Sequence, residues 1–112
     1  MKRVGIGEFE ELVLLTICVL ENDAYALDIK DEVENRTNRR MNISAIHTTL
    51  YRMEDKGLLQ SKLGEASQVR GGKRKRLFSV TSFGLKSLAE VPETRSRLWS
   101  DIPANILKSL HT

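Results

Sequence analysis

The order of signals between Ile43 and Val80 restricts this chain most: a capped helical stretch, a glycine stop, then two short apolar runs joined by a basic, glycine-bearing turn. The stretch from Ile43 to Leu59 predicts one helix of about four turns, with Ser44 as N-cap and Gly57 as stop. A serine oxygen satisfies an otherwise orphan backbone N–H, and a glycine takes the left-handed conformation that ends a helix. At about 100° per residue Ile46, Leu50 and Met53 share one narrow stripe that docks inward. Ser44, Thr48, Tyr51, Arg52 and Asp55 fall opposite, with His47 on the flank.

Hydroxyls, an imidazole, a phenol and a guanidinium are the groups that hydrogen-bond base edges and phosphates in a major groove. Carboxylates come only at Glu54 and Asp55, so the first turns can face a polyanion. Ser44, His47, Thr48, Thr49, Tyr51 and Arg52 are therefore the candidate DNA contacts of a recognition helix over 44–57. The alternative is an ordinary amphipathic surface helix.

The segment downstream of Gly57 favours the recognition helix. Residues 58–63 and 76–81 can pair as antiparallel strands around a loop containing Gly64, Gly71 and Gly72. A helix and then a hairpin is the winged-helix order. The turn carries Arg70, Lys73, Arg74, Lys75 and Arg76, so a wing over 64–76 suits a phosphate backbone or minor groove.

The distribution of charge points the same way. Residues 1–37 hold four basic and nine acidic groups, residues 38–82 hold ten and three, and residues 83–112 hold four and three. The net +3 thus conceals a strongly positive middle, the footprint expected of a nucleic-acid face rather than of an evenly solvated surface.

Upstream, a first helix is expected from about Glu8 to Glu21, apolar on nearly every side after its first turn, which calls for cover from a second subunit or the C-terminal tail. A second helix is expected from Ala24 to Arg36, burying Tyr25, Ile29 and Val33, with Ala26 and Leu27 beside them. Met41-Asn42-Ile43 offers a short strand for the hairpin.

Downstream, a helix begins near Ser82, and Pro92 should break it. Beyond it Leu98, Trp99, Ile102, Ile106, Leu107 and Leu110 recur at helical spacing, with Pro103 fitting the first turn of a helix started near Ser100. Trp99 is expected to anchor a dimer interface, the alternative being an aromatic effector pocket between two copies.

Taken together, Gly7-Glu8-Phe9-Glu10, Ala24-Tyr25-Ala26 with Ile29, Ser44 with Thr48 to Leu50, Arg52-Met53-Glu54, Lys56-Gly57-Leu58, Ser61, Gly71-Gly72-Lys73-Arg74, and Phe78 with Thr81 to Gly84 resemble the PadR-type transcriptional regulators in order and spacing along residues 7–84. The resemblance implies a homodimeric winged-helix binder of double-stranded DNA, usually a repressor, whose C-terminal helix dimerises and whose dimer interface sometimes senses a small-molecule effector. The expected fold class is mainly α with a small β-hairpin (α+β): a winged helix-turn-helix domain over 1–84 and a C-terminal helical dimerisation tail over 85–112. Phe9, Leu12, Leu98, Trp99, Ile102, Ile106 and Leu110 are the expected interface. Two positions depart from the family pattern. His47 stands where the family commonly has tyrosine; it can donate to a phosphate or simply be solvated. Pro92 implies that the long continuous dimerisation helix of larger members is shortened or kinked here.

Other classes find little in the sequence. With 40% hydrophobic and 29% charged residues and no apolar run near 18 residues, neither a membrane span nor secretion is indicated, and the cytoplasm is the expected compartment. His47 and His111 lie far apart and Cys18 is the single cysteine, so no metal spacing, cofactor motif or nucleophile motif points to an enzyme. The remaining rival is a winged helix whose basic wing serves a protein or RNA partner without operator specificity.

Overall fold

In the computed structural model, which describes residues 5–64 and 75–111, the first helix, α1 (Glu8–Val19), starts where Glu10 folds back on Gly7. The Gly7 N–H donates to Glu10 Oε1 at 2.9 Å, half of a capping box, and Glu8, Glu10 and Glu11 complement the helix dipole. The helix buries Val13, Leu14 and Ile17 but leaves Leu15 and Val19 exposed at 44% and 51%. It stops at Val19 rather than Glu21, because Glu21, Asn22 and Asp23 adopt left-handed φ values of 64, 67 and 49°.

That loop decides where the third strand forms. The Val80 N–H donates to Asn22 Oδ1 at 2.9 Å and the Asp23 N–H to Ser79 Oγ at 3.1 Å, which lays the next residues along the hairpin. Ala24–Tyr25 becomes β1 and pairs antiparallel with β3 (Arg76–Val80), whose other edge carries β2 (Leu59–Leu63); the order is β1-β3-β2. The expected strand at Met41-Asn42-Ile43 is therefore not one, and α2 (Ala26–Thr37) begins two residues later than Ala24. Its Ile29 and Val33 enter the core, whereas Leu27 stays outside.

The helix expected over 44–57, α3 (Ile43–Asp55), is capped by Asn42 instead of Ser44: Asn42 Oδ1 accepts the Ser44 N–H at 2.8 Å. Ile46, Leu50 and Met53 are fully buried, as the stripe predicts, and share the core with Val13, Leu14, Ile17, Ile29, Leu58 and Phe78. At the far end the Leu58 N–H reaches the Met53 carbonyl at 2.9 Å and the Gly57 N–H reaches the Glu54 carbonyl at 3.0 Å. With Gly57 at φ 80° this is a Schellman stop, and it turns the chain straight into β2.

Lys56 locks that end to the start of α1. Its Nζ donates to both Glu10 oxygens at 2.9 and 3.0 Å, with Glu10 buried. Burial pushes the Glu10 carboxyl up, but the Gly7 N–H, the Lys56 ammonium and the Arg52 charge outweigh it and hold the pKa below the usual carboxylate range. A lowered folded pKa contributes stability that is present above the ordinary glutamate pKa and is lost as pH falls through the folded value. Glu10→Gln is accordingly expected to cost roughly 1–3 kcal/mol at neutral pH and progressively less in acid, a convergence that urea melts of both proteins across pH 3 to 7 will reveal.

Helix α4 (Ser82–Ser100) is anchored by Thr81, whose Oγ1 accepts the Gly84 N–H at 3.0 Å while its hydroxyl donates to the Gly57 carbonyl at 2.6 Å. Contrary to expectation it runs through Pro92 without ending. Proline removes one N–H, the partner of the Leu88 carbonyl, and the helix resumes at once, with the Thr94 hydroxyl closing on the Glu90 carbonyl at 3.1 Å. The boundary expected at 84/85 thus lies inside α4. Pro103 sits at the N-cap of a short α5 (Ala104–Leu107) rather than within a longer helix's first turn, and a 3-10 turn, Lys108–His111, comes after it. The radius of gyration is 17.3 Å, against about 13 Å for a compact chain of this length. The second half of α4 and α5 project from the core without covering it.

Candidate nucleic-acid interface

Docking the Ile46-Leu50-Met53 stripe leaves Ser44, His47, Thr48, Tyr51 and Arg52 exposed together on α3. The Thr48 hydroxyl donates back to the Ser44 carbonyl at 2.9 Å, which spends its proton within the helix and leaves its oxygen as an acceptor. His47 and Tyr51 stack with ring centres 6.1 Å apart and planes 18° apart, and Tyr51 meets Phe78 edge-on at 6.1 Å. This exposed face is thereby braced against β3.

One expected contact residue does not belong to this face. Thr49 is buried at 5% exposure, because its position rotates it toward the Leu50 side of the helix. Of the two acids of the last turn Glu54 is partly withdrawn, its Oε2 accepting the Ser61 hydroxyl at 2.5 Å so that its charge is held toward β2, while Asp55 is exposed.

The base of the hairpin lies alongside. Gly64 donates to the Lys75 carbonyl at 2.7 Å, extending the pairing beyond Leu63↔Arg76, and the site is tight, since a Cβ would lie 3.0 Å from the Tyr25 hydroxyl and 3.1 Å from the Lys75 carbonyl oxygen. Lys75 and Arg76 are exposed at this base. Arg70, Lys73 and Arg74 lie outside the described residues. In the turn that leads into α3, Arg39 and Arg40 stand exposed, two neighbouring cations whose adjacency in the sequence is the signal for them. Asn38 at φ 56° shapes that turn, and Glu34 holds it, accepting the Met41 N–H at 2.6 Å and the Lys30 ammonium at 3.1 Å. These two donors keep the Glu34 carboxyl below its ordinary pKa.

The residues expected at a dimer interface divide into two groups. Phe9, Leu12 and Ile102 are partly buried within the chain, the first two against the core. Leu98, Trp99, Ile106 and Leu110 are exposed at 65, 58, 56 and 67%. Leu15 and Val19, one helical turn apart, are further exposed apolar positions that periodicity does not single out, because α1 reads as apolar all round. Cys18 is half-buried, and burial pushes its thiol up, away from the reactive thiolate. Among the described residues no group of His, Cys, Asp and Glu could hold a metal ion, and no helix is long and apolar enough to cross a membrane.

Comparison with known proteins agrees with this architecture. The model of the transcriptional regulator PadR-like family matches residues 14–90. A protein of Lysinibacillus sphaericus described as uncharacterized is 33% identical over 87 residues, covering 76% of this chain and 75% of that one. The crystal structure of a PadR-like transcriptional regulator from Bacillus cereus superposes with a TM-score of 0.66 at 20% identity, covering 88% of this chain and 90% of that one. The Aeropyrum pernix ORC1 protein, solved in complex with DNA, contains a similar fold, with a TM-score of 0.61 at 21% identity over 83% of this chain and 26% of that one. Fold and family match converge: the chain is a winged-helix member of the PadR-like family of transcriptional regulators.

Proposed function

We propose that the chain binds double-stranded operator DNA as a homodimer and represses transcription there, with α3 in the major groove and the hairpin on the phosphate backbone. One observation carries this reading: His47 and Tyr51 on the exposed face of α3 line one cavity with the exposed Lys75 and Arg76, and the first turn of α3 holds no carboxylate. That the ORC1 protein with a similar fold was solved with DNA supports it. Thr48, with its oxygen free to accept, suits the amino group of adenine or cytosine, and Arg52 suits guanine or a phosphate. Thr48→Ala or Arg52→Ala is expected to weaken operator binding by roughly 1–3 kcal/mol wherever the side chain meets a base edge, with less change on unrelated DNA. Competition gel shifts read both numbers, and operator discrimination left intact by both substitutions would remove α3 from the groove.

The hairpin has a different signature, because phosphate contacts position the protein without specifying sequence. Replacing Lys75 and Arg76 with glutamine should weaken binding about equally on every DNA. Each phosphate that is no longer neutralised lowers the magnitude of the salt slope by roughly 0.9, so a dimer giving up two per subunit drops by about 3 to 4 units. A slope that stays the same in a salt titration places the hairpin off the DNA. The exposed apolar side chains of the tail serve as the dimer contact, with Trp99 as its anchor.

A further inference from the structure

Between the start of α2, the flank of α3 and the base of the hairpin lies a cavity of about 450 Å³. Its walls are apolar and aromatic: Leu27 and Ile43, exposed at 49% and 37%, stand with the rings of Tyr51 and Phe78. A concave apolar patch edged by a few polar groups is the usual form of a small-molecule site. Here the edge is cationic. Among the described residues, Lys75 and Arg76 line the cavity, no carboxylate does, and neither cation is engaged in an ion pair. The near-parallel His47 and Tyr51 rings, with Phe78 edge-on to Tyr51, give the cavity an aromatic wall on which a further flat ring can pack. Two adjacent cations favour an acidic group on that ring.

We propose that this cavity binds a flat aromatic anion, a ring bearing a carboxylate or a phosphate, and that its occupant excludes DNA because His47, Tyr51, Lys75 and Arg76 serve both. The exclusion rests on the operator-binding reading above; the binding itself does not. It places an effector site within the reading face, away from Trp99.

Calorimetric titration of the full chain without DNA tests the binding, with 1-naphthoate, 1-naphthyl phosphate, neutral 1-naphthylmethanol and inorganic phosphate as probes. One saturable site per chain is expected for at least one anion, with naphthylmethanol and inorganic phosphate each at least tenfold weaker; the better anion tells carboxylate from phosphate. Leu27→Glu puts a carboxylate into the cavity at an exposed position in the first turn of α2, where an acid suits the helix dipole. It should weaken the anion at least tenfold with the thermal melt unchanged. A second variant, Ile43→Glu, repeats the test from α3. No saturable binding, equal binding of the neutral probe, or binding that survives both variants but is lost in Trp99→Ala overturns the site. With operator DNA present, the anion should raise the half-saturating DNA concentration in proportion to one plus its concentration over its Kd. Anion binding that leaves DNA affinity unmoved overturns the exclusion. A chain that takes the anion but shifts no operator DNA overturns the operator reading and leaves the cavity assignment standing.

Discussion

Replacing Gly84 with alanine is expected to lower the melting temperature by roughly 10–20 °C, at about 4–8 °C per kcal/mol for a domain of this size. An added Cβ would lie 2.2 Å from the Leu58 carbonyl oxygen, 3.0 Å from Val80 Cγ1 and 3.1 Å from the Leu58 carbonyl carbon. Two of these atoms are backbone, held by the Schellman stop of α3 and by the Thr81 hydroxyl, so no rotamer change relieves the clash. Overpacking typically costs roughly 1–3 kcal/mol, and an immovable neighbour puts this site at the upper end. Gly5→Ala, where nothing lies within 4 Å, is the matched control and should melt like the parent. An unshifted melt for Gly84→Ala would mean that α4 is not seated on the end of α3.

Removing the chain beyond Val91 is expected to turn a dimer into a monomer and to weaken operator binding by about 100-fold or more, the usual loss when two linked binding modules become one. The segment removed carries Leu98, Trp99, Ile106 and Leu110, all more than half exposed. At roughly 1.5–3 kcal/mol for each fully buried side chain, their burial against a second copy can offset an association cost of about 4–15 kcal/mol. The cut spares the core, including Leu88, and removes the ion pair between Arg95 and Glu11 at 3.3 Å. Circular dichroism should therefore keep most of the winged-helix signal while light scattering reports half the mass. A truncated chain that still runs as a dimer would move the interface to α1, where Leu15 and Val19 face outward.

Much of this fold is legible in the sequence because its strongest signals are local. The Ile46-Leu50-Met53 stripe, the Gly57 stop and the two apolar runs of the hairpin each depend on residues a few positions apart, and all three stand in the structure. Sequence and structure part where a distant partner decides. Ala24–Tyr25 is a strand because Asn22 and Asp23 bond to Val80 and Ser79, more than fifty residues away, whereas Ile43 resembles one only in its β-branched side chain. Serine is a strong N-cap and so points to Ser44, yet Asn42 two residues earlier supplies the same kind of acceptor. Proline breaks most helices, but one missing N–H on an exposed stretch of a 19-residue helix does not end it at Pro92. For the site, the exposed face of α3 comes from periodicity, but the burial of Thr49 and the cavity beside Leu27 depend on how α2 and β3 pack against that helix.

Footprinting of the full chain on the DNA upstream of its own gene, against a shuffled fragment of the same length at about physiological salt, is the decisive measurement. An operator-reading dimer should protect a two-fold symmetric site with half-sites about one helical turn apart, and bind it about a thousandfold or more tighter than the shuffled DNA. Equal affinity for the two fragments, with no protected site, would contradict sequence reading by α3 and leave only a basic surface that binds polyanions.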